Sequence, residues 1–174
     1  MKTLITQKEL KQLLSYDKKT GLFTWISDNT RHANVYGTTA GAVGSKGYIN
    51  IEIKNRTYKA HRLAWLYITG SHPEEQIDHI NHITNDNRIS NLRECNNSEN
   101  QLNRSLYKNN KSGQAGVYPT RNGEKFLAVI RVNKELIRLG TFQEKQEAIT
   151  ARKEAEIKYG FHQNHGNSKA RAIV

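Results

Sequence analysis

The sequence predicts an α+β protein made of small antiparallel sheets and short helices. Three observations carry that expectation. Alternating apolar runs are separated by turn residues, as in "YINIEI-KNR-TYKAH" and again around "KFLAVIRV". Helix-start signals precede apolar stripes at helical spacing. No long apolar run is present, so nothing competes with these short elements.

Taken in order, "TQKELKQLLS" at residues 6–15 reads as a helix. Thr6 and Glu9 fit a capping box, and Leu10, Leu13 and Leu14 form the stripe. "TGLFTW" is a strand after a turn, and the glycine-rich "GTTAGAVGSKG" is a connection or a bulged edge. Its spacing does not match a phosphate-binding loop. The hairpin over "YINIEI" and "TYKAH" supplies Tyr48, Ile49, Ile51 and Ile53 as apolar positions. "HRLAWLYITG" is a helix with Leu63, Leu66 and Tyr67 at helical spacing, closed by Gly70. "NNKSGQAG" from Asn109 marks a boundary. Beyond it come three strands, "GVYP", "KFLAVIRV" and "ELIRLG", with Asn122-Gly123 as the first turn. In the central strand Phe126, Ala128, Ile130 and Val132 share one face, and Lys125, Leu127, Val129 and Arg131 the other. "TFQEKQEAITARKEAEIKYG" then predicts a helix with Thr141 and Glu144 as its capping box. Ala148, Ala151, Ala155 and Tyr159 line one face, and Gly160 ends it.

This gives four segments: an N-terminal helix and strand region at 1–47, a core at 48–108, a three-stranded sheet with a helix at 109–165, and a tail at 166–174. The formal net charge of the 174 residues is +11. Residues 1–104 hold 14 lysines and arginines against 10 acids, and residues 105–174 hold 13 against 6. Such an excess predicts a polyanionic partner. Nucleic acid is favoured over a membrane, because no basic amphipathic helix carries a Trp/Leu/Phe face. The N-terminus lacks the apolar stretch of a signal peptide, so a cytoplasmic protein is expected. A single cysteine, Cys95, excludes an internal disulfide framework and a zinc ribbon; it is expected as a small buried residue.

The segment "QIDHINHITNDNRISNLRECNNSENQLNR" is the most informative. It holds two histidines, eight asparagines and only two leucines, with Asp78-His79 near its start. Cutting a phosphodiester requires an activated water, neutralised phosphate charge and a stabilised leaving oxygen. An imidazole can accept the proton. A hard divalent cation held by oxygens meets the other two needs. Asparagines supply oxygen without charge, and their amides can also orient an imidazole or bridge a loop.

With these motifs in order (His61-Arg62-Leu63, Asp78-His79, Asn91-Leu92-Arg93, then Asn100 and Asn103), residues 48–104 resemble the homing branch of the HNH nucleases. The resemblance implies a ββα-metal fold, with Asp78 and His79 ending the first strand, Asn91 on the second and Asn100 on the helix. It implies His79 as general base and Asp78 and Asn100 as ligands of one Mg²⁺ or Mn²⁺ ion. Asn91 either holds the hairpin or orients His79 and fixes its tautomer. Asn100 stands where many members have histidine, which favours a hard ion over zinc. Asn81-His82 stand where the family often has Asp-Gly. His61 is expected to pack at the helix start, and His82 to be a loop residue or a phosphate contact. His32, His72, His162 and His165 carry no spacing argument.

Residues 112–160 are similar to the DNA-binding domain of plant ethylene-response factors, the AP-two type. Gly116-Val117, "KFLAVIR", "LGTF" at Leu139–Phe142 and the alanine-bearing helix carry this likeness. Ala115 stands where that family has arginine, and the sheet lacks its tryptophans. The likeness implies a sheet laid in the major groove and a helix packed behind it. Expected DNA contacts are Arg93, Asn103, Arg104, Lys111, Tyr118, Lys125, Arg131 and Arg138.

The expectation is thus a metal-dependent endonuclease on double-stranded DNA, of the homing, mobile-element or phage kind, acting in a bacterial host if phage-encoded. One site per chain would need a homodimer on DNA, or two nicks, for a double-strand break. The alternatives are a non-catalytic DNA-binding regulator and an RNA-directed nuclease.

Overall fold

The structure, a computed structural model, describes residues 4–27, 35–106, 110 and 112–167. It divides into two compact units, the first running to Asn96 and the second beginning at Asn97. The architecture is mixed α and β with small antiparallel sheets. Among the described residues no helix is long and apolar enough to cross a membrane.

In the first unit α1 (Gln7–Leu13) starts at the expected capping box. Thr6 Oγ1 accepts from the Glu9 amide at 3.2 Å, and Glu9 Oε2 accepts from the Thr6 amide at 2.9 Å. The helix is shorter than the expected 6–15. Leu14 and Ser15 leave it for β1 (Leu14–Tyr16), which pairs with β2 (Phe23–Trp25). Leu14 stays fully buried opposite Trp25, so strand pairing keeps its apolar burial and adds main-chain bonds.

The glycine-rich stretch contributes a two-residue edge strand, β3 (Ala42–Val43), beside β4 (Ile49–Ile53) and β5 (Arg56–Lys59). The β4–β5 turn places Lys54 and Asn55 at φ 50 and 61, the paired left-handed geometry that suits strand twist. Then α2 (Ala60–Thr69) buries Leu63, Ala64 and Leu66 and ends at Gly70, whose φ of 90 suits a residue without a Cβ. A second hairpin follows: β6 (Gln76–His79) against β7 (Leu92–Cys95), with a 3-10 turn, Ile89–Asn91, just before β7. One apolar cluster joins Leu10, Leu14, Phe23, Ile51, Leu63, Leu66, Ile77 and Leu92. Cys95 is buried and in no disulfide, as its size suggested.

The second unit holds α3 (Asn97–Leu102), β8 (Val117–Pro119), β9 (Phe126–Val132), β10 (Glu135–Phe142) and α4 (Lys145–Lys158). The antiparallel sheet runs β10-β9-β8. Val117, Ala128 and Ala148 are fully buried together, so α4 covers the face of β9 that the alternation indicated. The expected Thr141/Glu144 box does not form. Thr141 and Phe142 stay in β10, opposite Leu127 and Phe126, and Glu144 itself caps α4 with Glu147 as its partner. Extending the sheet by two pairs outweighs an earlier cap.

Within α4 the buried set includes two charges that no apolar stripe foretold. Arg152 is 4% exposed; its Nε donates to Glu156 Oε1 at 3.0 Å and its Nη1 to the Val129 carbonyl at 2.7 Å. Its Nη2 lies 3.3 Å from His165 Nε2.

Candidate active site

The site begins where β6 runs out. Asp78 and His79 are its last two residues, paired in register with Arg93 and Leu92. Consecutive strand residues point to opposite faces. His79 therefore turns inward, 4% exposed, while the Asp78 side chain keeps 12% exposure. The loop from Ile80 to Ser90 returns the chain to β7, and the asparagines do their work there.

His79 Nε2 lies 3.2 Å from Asn87 Oδ1. Asn87 Nδ2 donates to the Asn85 carbonyl, which assigns Oδ1 as the acceptor toward His79. The imidazole is thus held as its Nε2–H tautomer, with the lone pair on Nδ1. Asn87 is itself fixed, since its carbonyl accepts from the Tyr16 hydroxyl at 2.7 Å. A Cβ on Gly21 would lie 2.4 Å from the Arg88 nitrogen, so the β1–β2 connection packs directly behind this loop. Burial pushes the His79 pKa below its ordinary value; the Asn87 bond and the charges of Asp78 and Asp86 hold it back in part.

Asn91 does not lie on the second strand. It ends the 3-10 turn just before β7, because its own side chain closes the loop there. Its Oδ1 accepts from the Asn81 amide at 3.0 Å and its Nδ2 donates to the Asp86 carbonyl at 2.8 Å. Of its two expected roles, the geometry supports holding the hairpin; Asn87 carries the other. Asn81 Oδ1 accepts from the Ile83 amide, and Asn81 Nδ2 donates to Asp86 Oδ2 at 2.7 Å. His82 adopts φ 63, the conformation a glycine takes without strain, at the position where the resembled family carries one. Asp86 is buried and bound by Arg88, whose guanidinium holds its carboxyl below the usual range.

Aromatic rings enclose His79 on its other sides. The His61 ring lies 5.0 Å away at 82°, and the Tyr48 ring lies 5.8 Å from His79 and 5.2 Å from His61. Burial and the Asp78 charge raise the Tyr48 hydroxyl pKa. Arg93, expected on DNA, instead binds Asp78: Nη2 sits 2.9 Å and Nε 3.2 Å from Oδ2. Strand register places the two opposite each other, so their opposite charges meet. Among the described residues no three side chains of His, Cys, Asp and Glu gather as a metal cluster.

Asn100 lies on α3, in the second unit. Asn103 is 1% exposed, which removes it from the expected DNA-contacting set; an enclosed amide serves the fold. Arg104 is exposed, and Lys111 lies outside the described residues. On the sheet of the second unit, Tyr118 pairs with Leu127, Arg138 with Val129 and Leu136 with Arg131. Those six residues therefore share the face opposite α4. Tyr118, Arg131 and Arg138 on that face are exposed, as is Lys125 just before β9.

Sequence reasoning missed Asn87, Tyr48 and the contact of His61 with His79. The only signal for Asn87 was its place among eight asparagines of one segment. Residues 58–102 match the family model described as HNH endonuclease. No curated protein and no solved structure matches the chain.

Proposed function

We propose that this chain is a metal-dependent endonuclease of the homing or phage type that hydrolyses phosphodiester bonds of duplex DNA. The observation that supports it most is the setting of His79: a buried imidazole bonded to Asn87, with its pKa pushed down in favour of the neutral form, beside the Asp78 carboxylate, inside the stretch matched to HNH endonucleases. A general base needs that protonation state and that orientation. In this reading His79 Nδ1 takes the proton of the attacking water, while Asn87 keeps Nε2–H pointed away from the reaction.

The donors present suit a hard cation. Asp78 offers carboxylate oxygen at the strand end and already draws positive charge, in the form of Arg93. Mg²⁺ or Mn²⁺ would neutralise charge on the phosphate and stabilise the leaving oxygen. Asn100 keeps the second-ligand role on the strength of the resemblance alone. Exposed Tyr118, Lys125, Arg131 and Arg138 support a DNA-holding role for the sheet face of the second unit.

A second reading, a regulator that binds DNA without cutting it, is favoured by the Asp78–Arg93 ion pair, which occupies the acid. One assay separates them: supercoiled plasmid with and without Mg²⁺, comparing the native protein with His79→Ala. The nuclease reading expects a Mg²⁺-dependent nick and a loss of at least about 10²-fold in the variant. Equal behaviour of the two proteins would leave the regulator. The ratio of nicked to linear product, with sedimentation of the DNA complex, tests whether two chains act together.

A further inference from the structure

The His61-Arg62-Leu63 triplet is only partly explained by helix packing. Leu63 is an ordinary core residue. His61 is not: it is 7% exposed, yet its Nδ1 has no hydrogen-bond partner. Leaving a buried nitrogen unpaired costs about 1–3 kcal/mol, so hydrogen bonding does not account for an imidazole at this place. Its ring contacts do. They run edge-to-face against His79 and tilted against Tyr48, which also touches His79. Arg62, the next residue, reaches the opposite end of the same strand. Its Nη2 donates to the Pro73 carbonyl at 3.0 Å and its Nη1 to the Glu75 carbonyl at 3.1 Å, just before β6 begins. One turn of α2 thus grips β6 at its entry and at its exit.

We propose that His61 is a positioning residue for His79: its flat ring is the wall that, with Tyr48 and the Asn87 bond, leaves the His79 imidazole a single orientation. The Asn87 bond acts at Nε2, and the faces packed on the ring restrict its swing about Cβ–Cγ. Those faces, the rings of His61 and Tyr48, lie 5.0 and 5.8 Å away. His61 stays uncharged in this role, because burial and the neighbouring imidazole both oppose its protonation. The inference rests on the reading of His79 as the base.

The test uses the full chain and three variants: His61→Leu, His61→Phe and His79→Ala. Leucine fills the volume without a flat ring, whereas phenylalanine restores the ring without nitrogens. Three quantities are measured: single-turnover nicking of supercoiled plasmid with Mg²⁺ at saturating protein, DNA affinity, and the side-chain ¹⁵N spectrum of His79. His61→Leu is expected to slow nicking at least about tenfold at unchanged DNA affinity, within the ~10²-fold cost of a small misplacement. It should also broaden the His79 ring resonances, because the ring then samples more than one orientation with the Asn87 bond retained. His61→Phe is expected to recover most of the rate and the sharp His79 spectrum. A leucine variant that matches native protein in rate and in its His79 spectrum overturns the inference. So does a phenylalanine variant as slow as leucine, since that assigns the role to a nitrogen of His61. If His79→Ala nicks at the native rate, the nuclease reading fails by itself, and the His79 spectrum still decides whether His61 holds the ring.

Discussion

Acid should unfold the first unit through His61, and the size of the effect follows from its burial. The folded chain holds the His61 pKa down to about 3, chiefly by desolvation and then by His79. In the unfolded chain it returns to its ordinary value of 6.5. Below that value the unfolded chain takes up a proton that the folded chain refuses. Stability therefore falls as pH drops from 6.5 toward 3 and levels off beneath. At about pH 4.5, two units down, the loss is about 3 kcal/mol at ~1.4 kcal/mol per unit. His61→Phe removes this contribution and leaves that of His79, which is depressed in the same direction. Urea unfolding near pH 7 and near pH 4.5 measures the difference. Trp25 and Trp65, the two tryptophans of the chain, both belong to the first unit, so selectively excited tryptophan fluorescence reports that unit. The native protein should lose about 3 kcal/mol more than His61→Phe on acidification. Equal losses would show that His61 is solvated in the folded chain and would refute the reasoning.

Three further outcomes are expected. Asn87→Ala frees the His79 tautomer and should slow plasmid nicking about 10–100-fold with little change in DNA affinity, the usual scale for a residue that orients a reacting group. Arg152→Leu leaves the Val129 carbonyl without this donor and buried Glu156 with Lys153 as its remaining ion pair, and should cost about 1–3 kcal/mol. The second unit carries no tryptophan, so amide hydrogen exchange over β9 and α4 is the appropriate measurement. Replacing both Arg131 and Arg138 with alanine should flatten the log–log salt dependence of DNA affinity by about 1–2 phosphate equivalents; an unchanged slope would place DNA elsewhere.

What was legible in the chain were interactions between near neighbours. The Thr6–Glu9 box and the Gly70 stop are decided within a few residues, and both stand in the fold. Where a local preference met a longer-range one, the sequence misled. Leu14 has helical spacing from Leu10, yet Trp25 draws it into a strand. Thr141 offers a cap, yet β9 keeps it in β10. Burial of Arg152 and Glu156 depends on a carbonyl on another element, which no periodicity encodes. Asn103 reads as one more polar residue of a polar segment, and only the fold reveals that it is enclosed.

The same distinction explains the amide-rich loop. Asp78 and His79 could be singled out because an acid and an imidazole differ chemically from their surroundings. Asn81, Asn87 and Asn91 differ from one another only in what closes around them. Asn87 becomes the orienting residue because Tyr16 and the Gly21 backbone fix it from behind. Asn91 becomes the clasp because the amide of Asn81 and the carbonyl of Asp86 come within reach. Neutral amides suit these tasks. Each offers both a donor and an acceptor, so a loop can be tied from either side. A carboxylate at position 87 or 91 would set a third negative charge near Asp78 and Asp86, favouring a protonated His79 and repelling a phosphate. A lysine would oppose the cation that the reading requires. On the proposed reading, the amides hold the loop firmly while adding no further charge beside His79 and Asp78.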